Sequence, residues 1–415
     1  MLPPSGSWSG FAEAVVSRLG SRRITTSTRT RRTIFDEVVG SVAAGIPVRP
    51  LMFGGRNARP PKMTSRERIR ETLNHRVPDR VPMVDICFWP ETVERWRAEG
   101  LPAGISPTEY FGLDEIGVLG FQANLQLPEE TLDETDDYVV RRDADGAVVR
   151  SWKNNYATPS RLDATIKTWD DWNAHKENFG GNVSVESIGE TYRQLRERDC
   201  FITIRPCEPM WYFLEHLMGF EMALETLAEQ PDFVADVIRT HTEFNHRLMQ
   251  QLIDAGMEFD GLWFFSDLCY KNGMLYSPKV HRELVLPSHQ ATRAFCDRHD
   301  LPMIFHCDGY MGEMIPLLIA AGFDAMQPIE ARCGNDIRKY KKQYGADIVF
   351  FGNISTDVMC RTKDEIFEEV STKVTAAKEG GGYMYHCDHS IPPTVSFENY
   401  SFVIDLVRQY GGYES

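Results

Sequence analysis

Two stretches of the chain carry the same three side chains. "MIFHCDGYMG" (303–312) and "YMYHCDHSIPP" (383–393) each follow a short apolar run with His-Cys-Asp. Histidine, cysteine and aspartate can all ligate a divalent cation, and His and Asp can also move protons. In an extended segment, residues two apart point to the same side. His306 and Asp308 can therefore converge on one ion or one proton, and Gly309 lets the chain turn at once afterwards. The plainer account is a hydrogen-bonded structural His–Asp pair. Cys387 or His389, from the second stretch, would supply a third donor across a shared rim. His306, Asp308 and Cys387 could then hold Zn²⁺ with its fourth position open, as catalytic zinc requires. The competing account of Cys387 is a small buried apolar residue.

Other chemistry-bearing residues fall where apolar runs end. They are Asp85 and Trp89, Gln122 and Asn124, Arg205 with Glu208, Asp267, Glu330, Asn353, and the group from His386 to His389. Tyr212 follows shortly after Arg205. A polar loop accounts for any one of them. It accounts less well for the set, because apolar runs end repeatedly in ionisable groups. The expected catalytic groups are Asp85, Asp267, His306, Asp308, Glu330 and His389. The expected substrate contacts are Trp89, Arg205, Tyr212 and Asn353.

The elements that must position these residues repeat as apolar run, polar elbow, amphipathic helix. Candidate strands are Val81–Phe88, Ile116–Phe121, Phe201–Arg205, Gly261–Phe265, Pro302–Phe305, Ala325–Pro328, Asp347–Phe351 and Tyr383–Tyr385. Most are short and apolar on both faces, as strands covered on both sides should be. Strands alternating with helices mean a parallel sheet, and eight favour a closed (β/α)8 barrel. In such a barrel the reacting groups sit at the strand C-termini. The stretch from Leu125 to Asn178 breaks the rhythm. It alternates like a β-hairpin with Asp145-Gly146 as its turn, and is expected as an antiparallel insertion after strand two. Caps are expected at Thr64 or Ser65 with Glu67, at Gly380–Gly382 beyond Lys378, at Pro278, and at Thr394 or Ser396 with Glu398. The helix starting near Ser396 would turn its N-terminus to the barrel mouth and favour an anion there.

The totals bound the function class. The chain has 415 residues, 42% apolar and 25% charged, with a net charge of -15. An acidic chain without a basic stripe argues against nucleic acid and against an anionic membrane surface. No run approaches the apolar length of a membrane span. Nine cysteines, odd in number and without C-x-x-C, suggest reduced thiols in a cytoplasm. Residues 1–62 differ: ten basic side chains stand against three acidic ones, in a Ser-, Thr-, Gly- and Pro-rich setting. They are expected to be a disordered tail, an organelle-type presequence, or sequence read from an early start codon, with a short helix near 34–44 as a further option. Met63 opens "MTSRERIRETLNHRVPDRVPM", which reads as a natural beginning.

Across 63–413 the chain resembles the uroporphyrinogen decarboxylase superfamily. The resemblance is carried by "RERIRETLNHRVPDRVP", "PCEPMWYFLEHLMGFEMALETLAEQPDFV", "DGLWFFSDLCYKNGMLYSP", "IFHCDG", "FGNIS" and "GGYMYHCDHSIPPTVSFENY". It implies a (β/α)8 barrel with its pocket at the strand C-termini, and it implies dimers. The decarboxylase branch carries arginines after the first strand that grip substrate carboxylates. Here that place reads "MVDICFWPE", without arginine. The cobamide-dependent methyltransferase branch has His-x-Cys after strand five and a Cys after strand eight as zinc ligands. This chain matches at His306 and Cys387 and has Asp308 at the middle position.

The resemblance implies a corrinoid-dependent methyltransferase of the demethylating kind, with zinc at the mouth and the corrinoid on a partner protein. The alternative is a decarboxylase of a porphyrinogen-like or other acid, with Asp85 or Asp267 facing a developing cation and His389 delivering a proton. The third reading, from another class, is a tetrapyrrole- or corrinoid-binding barrel without turnover.

Overall fold

The computed structural model describes residues 63–153 and 159–413. The expectations for residues 1–62 lie outside the described residues. Thirteen strands are β1 (Ile116–Phe121), β2 (Glu130–Glu134), β3 (Tyr138–Arg142), β4 (Val148–Trp152), β5 (Ser160–Asp163), β6 (Phe201–Pro206), β7 (Gly261–Phe265), β8 (Cys269–Tyr270), β9 (Gly273–Met274), β10 (Met303–Cys307), β11 (Ala325–Pro328), β12 (Val349–Phe351) and β13 (Tyr383–Met384).

Seven of them form one sheet in the order β1-β6-β7-β10-β11-β12-β13, with every neighbour parallel. Helices cover its outer face, as parallel strands joined by crossovers require. The expected first strand is not a registered strand. Its residues 81–84 instead bond to both ends of the sheet. Val84 N donates to Tyr385 O at 3.0 Å, Tyr385 N donates to Pro82 O at 2.9 Å, and Asp114 N, just before β1, donates to Met83 O at 2.7 Å. Pro82 has no N–H, which limits any ladder there.

One face of these strands makes a single apolar layer. Val84, Phe201, Trp263, Ile304, Ala325, Val349, Phe351 and Met384 pack together, with Ile116 and Val118 against them. Ile69 and Leu73 belong to the same cluster. They come from the helix Ser65–Leu73, capped by Thr64 and Glu67 in reciprocal bonds as the sequence predicts. That helix packs against β6 and β13 and closes the N-terminal end of the strands.

The insertion is larger than a hairpin. β3 and β4 pair around Asp143–Ala147, and β2 and β5 add on either side to give the order β2-β3-β4-β5. Asp145 anchors it. Its carboxylate is buried and accepts from Leu125 N at 3.1 Å and from Tyr212 OH at 2.6 Å. Among the described residues no helix is long and apolar enough to cross a membrane.

Candidate functional site

Strand pleat decides what faces the mouth. Side chains alternate, so the residue two beyond each apolar interior residue points the same way. Counting up by two from Val84, Val118, Trp263, Ile304, Ala325 and Met384, and by four from Phe201, reaches Ile86, Gly120, Phe265, His306, Gln327, His386 and Arg205. These form the next layer. Ile86 and Phe265 are both 37% exposed, which is unusual for large apolar side chains at strand ends.

His306 is held on three sides. Its ring lies flat on Phe265, centroids 3.8 Å apart and planes 9° apart. Its Nδ1 is 2.5 Å from Gln327 Oε1. Gln327 Nε2 is 3.4 Å from His386 Nε2, and His386 Nδ1 sits against its neighbour's carbonyl, Cys387 O. Donors and acceptors along this row agree in one direction. Cys387 O accepts a hydrogen bond from His386 Nδ1–H, His386 Nε2 accepts from Gln327, and Gln327 Oε1 accepts from His306 Nδ1–H. The His306 Nε2 lone pair is then bare, and Nε2 is buried without a hydrogen-bond partner. Burial holds His306 below the ordinary histidine range, against the pull of Asp267.

Two carboxylates face that nitrogen. Asp267, just beyond β7, places Oδ1 at 3.6 Å from His306 Nε2 and accepts from Asp308 N at 3.0 Å. Asp308 keeps Oδ1 buried and unpartnered. Ligand atoms of Asp267, His306 and Asp308 lie within 4.8 Å of one another. Burial, then the Asp267 charge, pushes the Asp308 carboxyl well above the ordinary range. His389 Nε2 stands 3.9 Å from Asp308 Oδ2, near but beyond a hydrogen bond.

Glu330 sits behind this group. It accepts from Gly309 N at 2.8 Å and from Cys333 Sγ at 3.1 Å, and it also bonds Arg332. Both its oxygens are engaged, so it fixes the turn after Asp308. Gly309 has φ +92°, and a Cβ there would meet Tyr270 N at 2.7 Å.

Several expected residues are elsewhere. Cys387 is one step out of phase with His386, so its thiol points away from the mouth. Sγ lies 3.4 Å from Asp85 Oδ2, 3.4 Å from Tyr385 OH and 3.7 Å from Met359 Sδ. Burial and the Asp85 carboxylate push that thiol well above its ordinary range, which disfavours the thiolate a metal needs. Among the described residues the group whose donor atoms come together is Asp267, His306 and Asp308, and Cys387 is not part of it. Asp85 is out of phase too. It accepts from Cys387 N at 2.8 Å and Tyr400 OH at 2.6 Å, and serves the outer core instead of substrate. Tyr212 is fully buried on Asp145, and Asn353 bonds Ile337 N, Ile329 O and Asn335 O. Neither reaches the mouth. Trp89 caps the helix Pro90–Glu99 and is half-buried. The anion site expected at the helix Phe397–Tyr410 is taken, since Phe397 N donates to Glu99 Oε2 at 2.7 Å.

Sequence reasoning gave no role to Gln327, Phe265 and His386. The signal was available in the pleat, two residues beyond Ala325, Trp263 and Met384.

A family model described as uroporphyrinogen decarboxylase (URO-D) matches residues 158–410. Uroporphyrinogen decarboxylase of Legionella pneumophila strain Corby is 26% identical over 220 residues, 46% of this chain and 58% of that protein. The strain Paris protein is 25% identical over the same extent. The chain thus spans somewhat over half the length of these curated relatives. A solved methyltransferase from Methanosarcina mazei shares the fold, with a TM-score of 0.56 at 17% identity over 84% of this chain and 99% of that one.

Proposed function

The chain belongs to the uroporphyrinogen decarboxylase family, whose model covers more than half of it, and we propose that it is a methyltransferase removing the methyl group from a small substrate. The observation that carries this reading is the group Asp267, His306 and Asp308, whose ligand atoms lie within 4.8 Å of one another, with His306 Nε2 and Asp308 Oδ1 buried and without a hydrogen-bond partner. A divalent cation would satisfy both, so the donor set fits a metal. One nitrogen and two carboxylates are a harder set than one with thiolate, and suit Zn²⁺ or Mn²⁺ better than a thiophilic ion. When bound, the metal supplies Lewis-acid polarisation of the heteroatom that carries the methyl.

The chain's own part is positional. Gln327 and His386 hold the His306 ring with Nε2 bare. Phe265 keeps the ring flat, and Glu330 fixes the turn that presents Asp308. A reduced corrinoid on a partner protein would supply the nucleophile and the electron pair for the new bond to the methyl carbon, and the heteroatom would leave with the pair of the bond that breaks. Asp308, whose carboxyl holds its proton above the usual range, can protonate the departing heteroatom where no cation is bound.

A second reading has its own observation. Arg205 opens into the mouth without a carboxylate partner among the described residues. An arginine and a protonated Asp308 could serve decarboxylation, the activity named for the curated relatives. The two readings separate in one assay. The purified protein is incubated with cob(I)alamin and a panel of O-, N- and S-methyl compounds, and in parallel with uroporphyrinogen. Donor-dependent loss of the cob(I)alamin spectrum, absent in His306→Ala, supports methyl transfer. CO₂ release from the porphyrinogen without corrinoid rejects it.

A further inference from the structure

We infer that the substrate carries a carboxylate, bound by Arg205, about two strand spacings from the group that handles its reactive end. This rests on the mouth being the substrate site and not on which reaction occurs there. Arg205 lies on the inward face of β6, in phase with Phe201 and Thr203. It is half-buried, and burial draws its guanidinium below the ordinary arginine value. A guanidinium taken partly out of water normally has a carboxylate beside it. Among the described residues no ion pair or hydrogen bond serves this one.

The register partner of Arg205 across the sheet is Gly120. A Cβ on Gly120 would stand 3.4 Å from Arg205 Nη2 and 3.5 Å from Nε, in ordinary contact, so the guanidinium lies over this glycine. On the other side the guanidinium carbon lies 5.6 Å from the Phe265 ring centre, within cation–π range. Phe265 in turn lies on His306. Arg205, Phe265 and His306 therefore touch in sequence across β6, β7 and β10, His306 in register with Phe265 and Arg205 two residues short of Cys207, which bridges Phe265. With strands about 4.8 Å apart, the three span about 10 Å. At one end is a cation without a partner, in the middle a half-exposed aromatic face, and at the other end a cluster of carboxylates. A flat or apolar molecule with an acid group at one end fits that order of chemistry. A dianion such as phosphate fits less well, because Asp267 and Asp308 lie at the far end of the same series.

The test uses binding, so it does not depend on finding the methyl donor. Acetate, phenylacetate and benzoate are titrated by calorimetry into the full-length protein, each beside its neutral amide. At least one carboxylate should bind, and its amide should bind roughly ten- to hundred-fold more weakly, the usual worth of a charged hydrogen bond. Arg205→Gln should lose the carboxylate by a similar factor while still taking up Mn²⁺ or Zn²⁺. Arg205→Lys, which keeps the charge without the fork, should fall between the two. Equal binding of acid and amide, unchanged binding in Arg205→Gln, or no binding of any of the three acids overturns the proposal. A failed methyl-transfer assay with these binding results intact would reject the reaction and leave the subsite standing.

Discussion

Asp145 should make the protein lose stability as pH rises from acid to neutral. Its carboxyl is pushed up from 3.8 to about 7, chiefly by burial, with Asp143 adding to the rise and Tyr212 opposing it. Below about pH 4 both folded and unfolded chains hold the proton. Above that the unfolded chain releases it first, so unfolding gains free energy until the folded carboxyl also ionises near pH 7. The contribution is thus complete in acid and gone by neutrality. The gap is about three pH units, each worth about 1.4 kcal/mol, so the loss is roughly 4 kcal/mol. Asp145→Asn cannot ionise and removes the effect. Urea unfolding of both proteins, followed by far-UV circular dichroism between pH 4 and 7.5, isolates it as the difference between the two. Wild type should fall relative to Asp145→Asn across that range and run parallel to it above. Tyr212→Phe removes the bond that favours the ionised form and should carry the fall to higher pH. Parallel curves for wild type and Asp145→Asn from pH 4 to 7 would refute the reasoning.

Cys387→Ala should leave metal uptake unchanged, measured by plasma emission on the dialysed protein, and cost about 1 kcal/mol for a lost buried sulfur; a clear fall in metal would return the thiol to the ligand set. Asp85→Ala strands the buried Cys387 N–H and Tyr400 hydroxyl, and at about 1–3 kcal/mol for each unpaired donor should lower stability by roughly 4 kcal/mol in urea. Gly352→Ala brings a Cβ to 1.9 Å from Pro328 O at φ +134°, so soluble expression with a melting temperature near wild type would contradict the described course of the chain.

The strands were legible because each is a short apolar run between turn residues. All seven expected runs from Ile116 onward fall on strands of the sheet within two residues at either end, the last as the two-residue strand Tyr383–Met384. Val81–Phe88 was misjudged because apolarity alone does not provide the N–H groups of a ladder, and Pro82 lacks one. Site residues were legible only as positions at strand ends. His306 and Asp308 obeyed the two-residue rule, and Asp267 followed from its place beyond β7. Asp85, Tyr212 and Asn353 are polar and near strand ends for a different reason. Each ties down backbone or side-chain groups from distant parts of the chain, and no local pattern reveals such partners.

The two His-Cys-Asp tripeptides show how far identical sequence can diverge once its phase is set. In both, histidine continues the inward face and cysteine faces the surrounding core: Cys307 and Cys387 are each fully buried. The aspartates then part. After Asp308 the chain turns at Gly309, with Glu330 holding that N–H, and the carboxylate stays at the mouth beside Asp267. After Asp388 it runs to Pro392-Pro393, and the carboxylate is drawn into the wall. It accepts from Thr356 N at 2.8 Å, Thr356 Oγ1 at 3.0 Å and Ala331 N at 3.1 Å. One tripeptide therefore brings a histidine nitrogen and a carboxylate oxygen together, both buried and without a hydrogen-bond partner. The other supports it from behind, with His386 orienting Gln327, and Gln327 orienting His306. On the proposed reading, a metal or a substrate heteroatom at His306 Nε2 would be aligned by the second copy without touching it.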